Sequence, residues 1–170
     1  MTAEINTDDA RGLLARGLDV PATDELPAEL PYLALRDPDG AERLGSALAE
    51  QCRSYAPTGL LTWEEPHDLV LAHIVARTLG IGAVRAYNQD GLVAFQGTFA
   101  PTGRVLLVAD TYRSAESVRA LCSLAGQQGQ QVVGAAALRD IGGPGHAELD
   151  QQDVPLVAVL ATDTTDHADG

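Results

Sequence analysis

Between residues 105 and 118 the chain reads VLLVADTYRSAESV. An apolar run delivers Asp110 to a polar turn carrying Arg113, Ser114 and Ser117, and the turn opens a helix. A buried strand that ends at a helix N-terminus is a standard support for a ligand loop. The free N–H groups, hydroxyls and guanidinium suit an anion. Asp110 is placed either to bind sugar hydroxyls or a metal ion, or to sit as an acid at the positive end of the helix. Arg113 either anchors a phosphate or pairs with Glu116. A second concentration of polar groups is WEEPHD (63–68), where Glu64, Glu65 and Asp68 follow the only Trp, Trp63. Such carboxylates suit magnesium, an amine or a cationic peptide, and equally a solvated helix start. Trp63 either plugs a pocket or stacks on a ligand; the plug is the simpler reading. Arg85 ends the next apolar segment and completes the candidate rim.

Other chemistries lack their residues. There is no Ser-His-Asp arrangement, Walker loop or GxGxxG, and GGPG (142–145) fits no dinucleotide fingerprint. His67, His73, His146 and His167 are scattered without ligand-type pairing, so no metal site is expected. Cys52 and Cys122 are far apart and read as reduced core thiols of an intracellular, cytoplasmic protein. All 11 basic residues are Arg. Without Lys the chain has no side-chain amine for a Schiff base or for phosphate as a point charge.

The candidate residues need elements to hold them. Residues 7–17 form a short helix with Thr7 as cap, and the proline-rich 19–31 is a connection. PYLALR (31–36) alternates like a strand, and DPDG opens a helix over 39–53. GLLTW (59–63) is a short buried strand, with a helix from Pro66. IGAVRAY (81–87) is a strand, and DGLVAFQGTF (90–99) reads as a hairpin around Asp90-Gly91. RVLLVAD (104–110) is a strand, 114–125 a helix, and QVVGAAAL (131–138) a strand. Residues 139–153 read as a glycine-rich loop with a single helical turn, and 154–161 as a last strand. Residues 162–170 form an acidic flexible tail. This pattern predicts one α/β domain over 1–170, with 1–30 as N-terminal helix and connection. Its sheet is mostly parallel, twisted and flanked by helices. Ligands in such sheets sit at the carboxyl ends of strands, which here are Trp63-Glu64-Glu65, Arg85 and Asp110.

Composition bounds the partners. A net charge of −13 repels nucleic acid phosphates and anionic membranes. No apolar run is long enough to span a bilayer, and MTAEINTDDARG lacks the basic start and apolar stretch of a signal peptide. Apolar residues are 45% of the chain but aromatics only 4%, so the core is built from Leu, Val and Ala.

The order of elements resembles the type I phosphoribosyltransferases, most closely the orotate phosphoribosyltransferases. The resemblance runs from about Ala10 to Leu160. It rests on PYLALRDPDGAERLGSALAE (31–50), LVLAHIVARTLGIGAVRA (69–86), RVLLVADTYRSAESVRALCSLAGQQGQQVVGAAAL (104–138) and RDIGGPGHAELDQQDVPLVAVL (139–160). It implies that the loop after RVLLVAD binds a 5′-phosphate and that acids there bind ribose hydroxyls. It also implies phosphoribosyl diphosphate with Mg2+ as the substrate of an active member, and a homodimer or a heteromer with a related protein.

The chain departs from the family pattern at each of these points. The first acid of the pair falls on Ala109 and only Asp110 remains. The Thr-Thr pair falls on Arg113 and Ser114, the glycine on Ala115 and the next position on Glu116; Ser117 keeps a hydroxyl. Ala115 restricts a turn that glycine leaves free. Glu116 sets a negative charge where a phosphate would lie, a repulsion of roughly 1 kcal/mol at about 4 Å in water. The pyrophosphate loop has no glycine and three carboxylates, Glu64, Glu65 and Asp68. The Arg-Lys that ends the following strand is Arg85-Ala86. YNQDGLVAFQG (87–97) lacks the Lys and His of the family's mobile loop, which stabilise the departing pyrophosphate. The core pattern is intact while these elements are altered. The resemblance therefore implies a member that has lost catalysis and serves as a subunit, regulator or assembly partner, with no catalytic residue assigned. The alternatives are an active transferase that moves phosphoribosyl to a nucleobase, with Arg in place of Lys, and a binding module for a changed nucleoside or cationic ligand.

Overall fold

The structure, a computed structural model, describes residues 4–161. The acidic tail expected at 162–170 lies outside these. Six strands form a single sheet in the order β3-β2-β1-β4-β5-β6. They are β1 (Gly59–Trp63), β2 (Gly82–Gln89), β3 (Leu92–Gln96), β4 (Arg104–Ala109), β5 (Gln131–Asp140) and β6 (Leu156–Ala161). All pairings are parallel except β2 with β3. The helices are α1 (Thr7–Leu18), α2 (Pro38–Cys52), α3 (Pro66–Leu79), α4 (Ala115–Gln127) and α5 (Gly143–Gln151), with one short 3₁₀ turn at Arg53–Tyr55. The chain is thus a single α/β domain with a mostly parallel, helix-flanked sheet. Strand order reverses direction between β1 and β4, where such sheets open a crevice at their carboxyl ends.

Strand alternation divides the core in two. In β4, Leu106 and Val108 point to the face covered by α1, α2 and α3, where they meet Leu14, Leu44, Leu48 and Val75. Val105, Leu107 and Ala109 point to the face of α4 and α5, among Val118, Leu121 and Leu149. Period-two burial in the strand meets helical faces of period 3.6 on both sides. Small residues set the spacing. A Cβ on Gly45 of α2 would come within 2.6 Å of Ile74 Cγ2 on α3, so the two helices touch through a bare backbone.

Local chemistry fixes the element ends. Asn6 caps α1 by accepting the Asp9 N–H at 2.8 Å, one residue before the expected Thr7. Asp37 caps α2 through Gly40 N–H. Asp90 and Gly91 both take positive φ, 52° and 83°, as the tight β2–β3 hairpin demands.

Two further sequence expectations fail, for identifiable reasons. PYLALR is not a strand: the Tyr32 and Leu33 N–H groups go to the Asp110 carboxylate and the Gly17 carbonyl instead of to a ladder. The segment wraps α1, leaving Leu33 and Leu35 exposed. The stretch 139–153 is not a loop. β5 continues through Asp140, and α5 starts at Gly143 with Pro144 in its first turn. Only Gly145, Glu148 and Leu149 of α5 are buried, too few for a visible apolar period. Its docking is partly polar, through Arg119 of α4 to Glu148 at 2.7 Å.

Among the described residues no helix is long and apolar enough to cross a membrane. The close α2–α3 approach makes one prediction. Gly45→Ala should destabilise the fold by roughly 1–3 kcal/mol through overpacking against Ile74, and Gly45→Val by more. Urea midpoints of the purified variants measure this.

Candidate ligand pocket at the sheet switch point

The carboxyl ends of β1 and β4 and the first turn of α4 enclose a cavity of about 350 Å³. The sequence places its walls. Ser114 leaves the helix in extended backbone and its hydroxyl accepts the Ser117 N–H at 3.2 Å, so α4 begins here. The first-turn N–H groups of Ala115 and Glu116 have no intrahelical partner by construction. Opposite, β1 ends at Trp63, and Pro66 starts α3 with Asp68 in its first turn. Trp63 stands in the wall, with its indole N–H on the Ser117 carbonyl at 3.3 Å. The cavity persists beside it, so the indole lines the pocket instead of filling it.

The structure brings together Arg113, Ser114, Ser117, Trp63, Glu65 and Asp68 around this cavity. Three of the residues singled out in the sequence lie elsewhere. Glu64 and Arg85 pair with each other at 2.8 Å, and Arg85 also donates to Gln96 across the hairpin. Asp110 is not among the residues that line the cavity and is only 1% exposed. Its Oδ2 accepts the Tyr32 N–H at 2.9 Å, and Arg139 and Arg113 lie 3.8 and 3.9 Å from its oxygens. Its main chain is equally committed. The N–H goes to Asp68 Oδ1 at 2.7 Å, and the carbonyl accepts from Leu138 and Arg139 of β5. Arg113 does not pair with Glu116; it donates to the carbonyls of Ala28 and Leu30. Arg139, 3% exposed, donates to Pro27 and Leu30. Asp110, Arg113 and Arg139 thus strap residues 27–32 across the end of the sheet.

Sequence reading missed Arg139, Thr111 and His67. Arg139 carried a signal: it is the charged residue that ends an otherwise apolar strand, as Asp110 does for β4. Thr111 and His67 carried none beyond adjacency to the candidates. Burial pushes the Asp68 carboxyl up to about 6, against the Asp110 N–H and His67, which favour its charge. No group of three or more His, Cys, Asp or Glu among the described residues is placed to hold a metal ion.

Two stability predictions follow from the geometry. Asp110→Ala leaves Arg139 buried without its carboxylate and frees the Tyr32 N–H. Breaking a buried pair in this way should cost roughly 3–5 kcal/mol in denaturant unfolding. Asp68 acts in the opposite sense. Its folded-state pKa is raised, so the stability gained from its proton is full below the unfolded value near 4 and is lost as pH rises through about 6. Asp68→Asn should remove that loss, gaining roughly 1–3 kcal/mol over the parent at pH 8 and little at pH 4. Paired urea titrations at the two pH values would read it; an equal difference at both would refute the assignment.

No protein-family model matches the chain. Over 118 residues, 69% of this chain, it is 32% identical to an adenine phosphoribosyltransferase of Xanthomonas axonopodis pv. citri, and it spans 59% of that enzyme's length. The adenine phosphoribosyltransferase structure from Rhodothermus marinus superposes with a TM-score of 0.69 at 21% identity, covering 90% of this chain and 98% of the other. The orotate phosphoribosyltransferase of Mycobacterium tuberculosis, solved with inorganic phosphate, gives 0.70 at 20% identity over 92% and 90% of the two chains. The six-stranded sheet with its five helices is therefore the type I phosphoribosyltransferase fold, and the chain's likeness in sequence lies with that same family.

Proposed function

We propose that the cavity binds a phosphorylated ribose and that the chain transfers phosphoribosyl from its diphosphate to a nucleobase. The observation that carries this reading is where the cavity lies. It opens at the switch point of the sheet, with the N-terminus of α4, the Ser114 and Ser117 hydroxyls and Arg113 on one wall. First-turn amides and hydroxyls at a helix N-terminus favour a phosphate. The sequence likeness to adenine phosphoribosyltransferases over 69% of the chain supports the same chemistry. In the transfer, the bond from the sugar C1 to the diphosphate oxygen breaks with its electron pair leaving on pyrophosphate. A ring nitrogen of the base bonds to C1 and loses its proton. The chain's part is to hold the 5′-phosphate and to shield the reacting carbon beside Trp63, Val118 and Leu121.

A second reading, a non-catalytic subunit or regulator within a homodimer or heteromer, is favoured by a specific observation. Asp110 is spent on the strap, while Glu65 and Asp68 set negative charge on the wall opposite α4. Like charges held in a partly desolvated cavity would weaken binding of a diphosphate.

Calorimetry with phosphoribosyl diphosphate and magnesium, followed by a pyrophosphate-release assay with adenine and with orotate, separates the two. Micromolar binding with release of pyrophosphate is expected for the transferase. Absence of heat up to millimolar ligand, with the protein shown to be folded, would establish the non-catalytic reading.

A further inference from the structure

We propose that residues 27–32 form a strap linked to the cavity. Their carbonyls hold one nitrogen of Arg113 and leave the rest of its guanidinium for an anion, so closure of the strap and occupancy of the cavity reinforce one another. The inference rests on the anion-binding part of the reading above and names a segment outside the cavity that positions its arginine.

The polar fixings of the strap come from side chains of other elements. Residues 21–32 make no backbone–backbone hydrogen bond among the described residues. Arg139 donates to the Pro27 and Leu30 carbonyls at 2.8 and 2.6 Å, and Arg113 donates to those of Ala28 and Leu30 at 3.1 Å. The Tyr32 N–H donates to Asp110 at 2.9 Å. Ala28 and Glu29 are exposed, so no packed side chain fixes the middle of the segment. A stretch held in this way opens locally before the domain unfolds.

Of the two arginines, only Arg113 also lines the cavity. Arg139 is 3% exposed and takes no part in the wall. Both bonds from Arg113 to the strap leave from Nη2; its Nε and Nη1 N–H groups have no hydrogen bond among the described residues. A guanidinium carries its N–H groups in one rigid plane, so fixing one nitrogen sets the direction of the others. The closed strap therefore orders this long side chain before a ligand arrives.

Charge points the same way. Arg113 and Arg139 share a single carboxylate, that of Asp110, at 3.9 and 3.8 Å. Burial lowers the proton affinity of Arg139; Asp110 opposes that shift, Arg113 adds to it and Glu29 opposes it. An anion on the α4 wall, beside Arg113 and across the cavity from Glu65 and Asp68, supplies a second negative charge to the pair of guanidiniums.

Hydrogen exchange at the Tyr32 and Leu33 amides, with and without inorganic phosphate, tests the linkage. These amides are bonded to Asp110 and to the Gly17 carbonyl when the strap is closed. Amides that exchange by local opening slow on binding only if the ligand favours the closed form. Saturating phosphate should slow both by about tenfold, an ordinary size for coupling between sites. In Arg113→Lys the ammonium keeps the charge but lacks the planar fork, so phosphate should still bind while the slowing falls below about twofold. The parent measurement decides alone if that variant fails to fold or bind. Phosphate that binds the parent and leaves these amides unchanged, or speeds their exchange by drawing Arg113 off the strap, would overturn the linkage and leave the anion-binding reading standing. Undiminished slowing in the phosphate-bound variant would equally remove Arg113 as its carrier. Failure of the folded parent protein to bind phosphate would overturn both.

Discussion

The fold closes around one buried carboxylate. Asp110 follows β4 beside the switch point, and its N–H, its carbonyl and its Oδ2 are each taken by a different part of the chain, while Oδ1 has no hydrogen bond and lies 3.8 Å from Arg139. Its N–H reaches Asp68 at the start of α3, its carbonyl accepts from β5, and its side chain holds the Tyr32 N–H between two guanidiniums. A charge this deeply buried persists only when paired and hydrogen-bonded. The N-terminal strap, α3, β4 and β5 are therefore fixed relative to one another by the need to satisfy it.

That arrangement has a consequence for the pocket. A residue whose position favours ligand binding is occupied internally, and the cavity is left with Asp68 as its buried carboxyl. Burial without a neighbouring arginine raises the proton affinity of Asp68. Asp110, with guanidiniums close by, keeps to its structural task. Two acids separated by 42 residues in sequence thus take contrasting roles because one end of the sheet supplies its cations to only one of them.

The pocket is also a compromise of charge. The N-terminus of α4 and its serines favour an anion, while Glu65 and Asp68 across the cavity disfavour a second one. A more highly charged anion would meet the acidic wall as well.

The sheet was legible in the residues. Apolar runs such as GLLTW and RVLLVA, the Asp90-Gly91 turn and the Ser114 cap carry their structure locally, because side-chain periodicity and backbone preference act over a few residues. The cluster of Arg113, Ser114, Ser117, Trp63, Glu65 and Asp68 followed from the rule that strand ends converge. Tertiary structure alone decided the rest. PYLALR alternates like a strand, but its N–H groups are claimed by Asp110 and Gly17, which are distant in sequence. α5 has too few buried apolar positions to announce itself. Asp110 lies buried beside the guanidiniums of Arg139 and Arg113 while Asp68 lines the cavity, a long-range arrangement that no local pattern encodes.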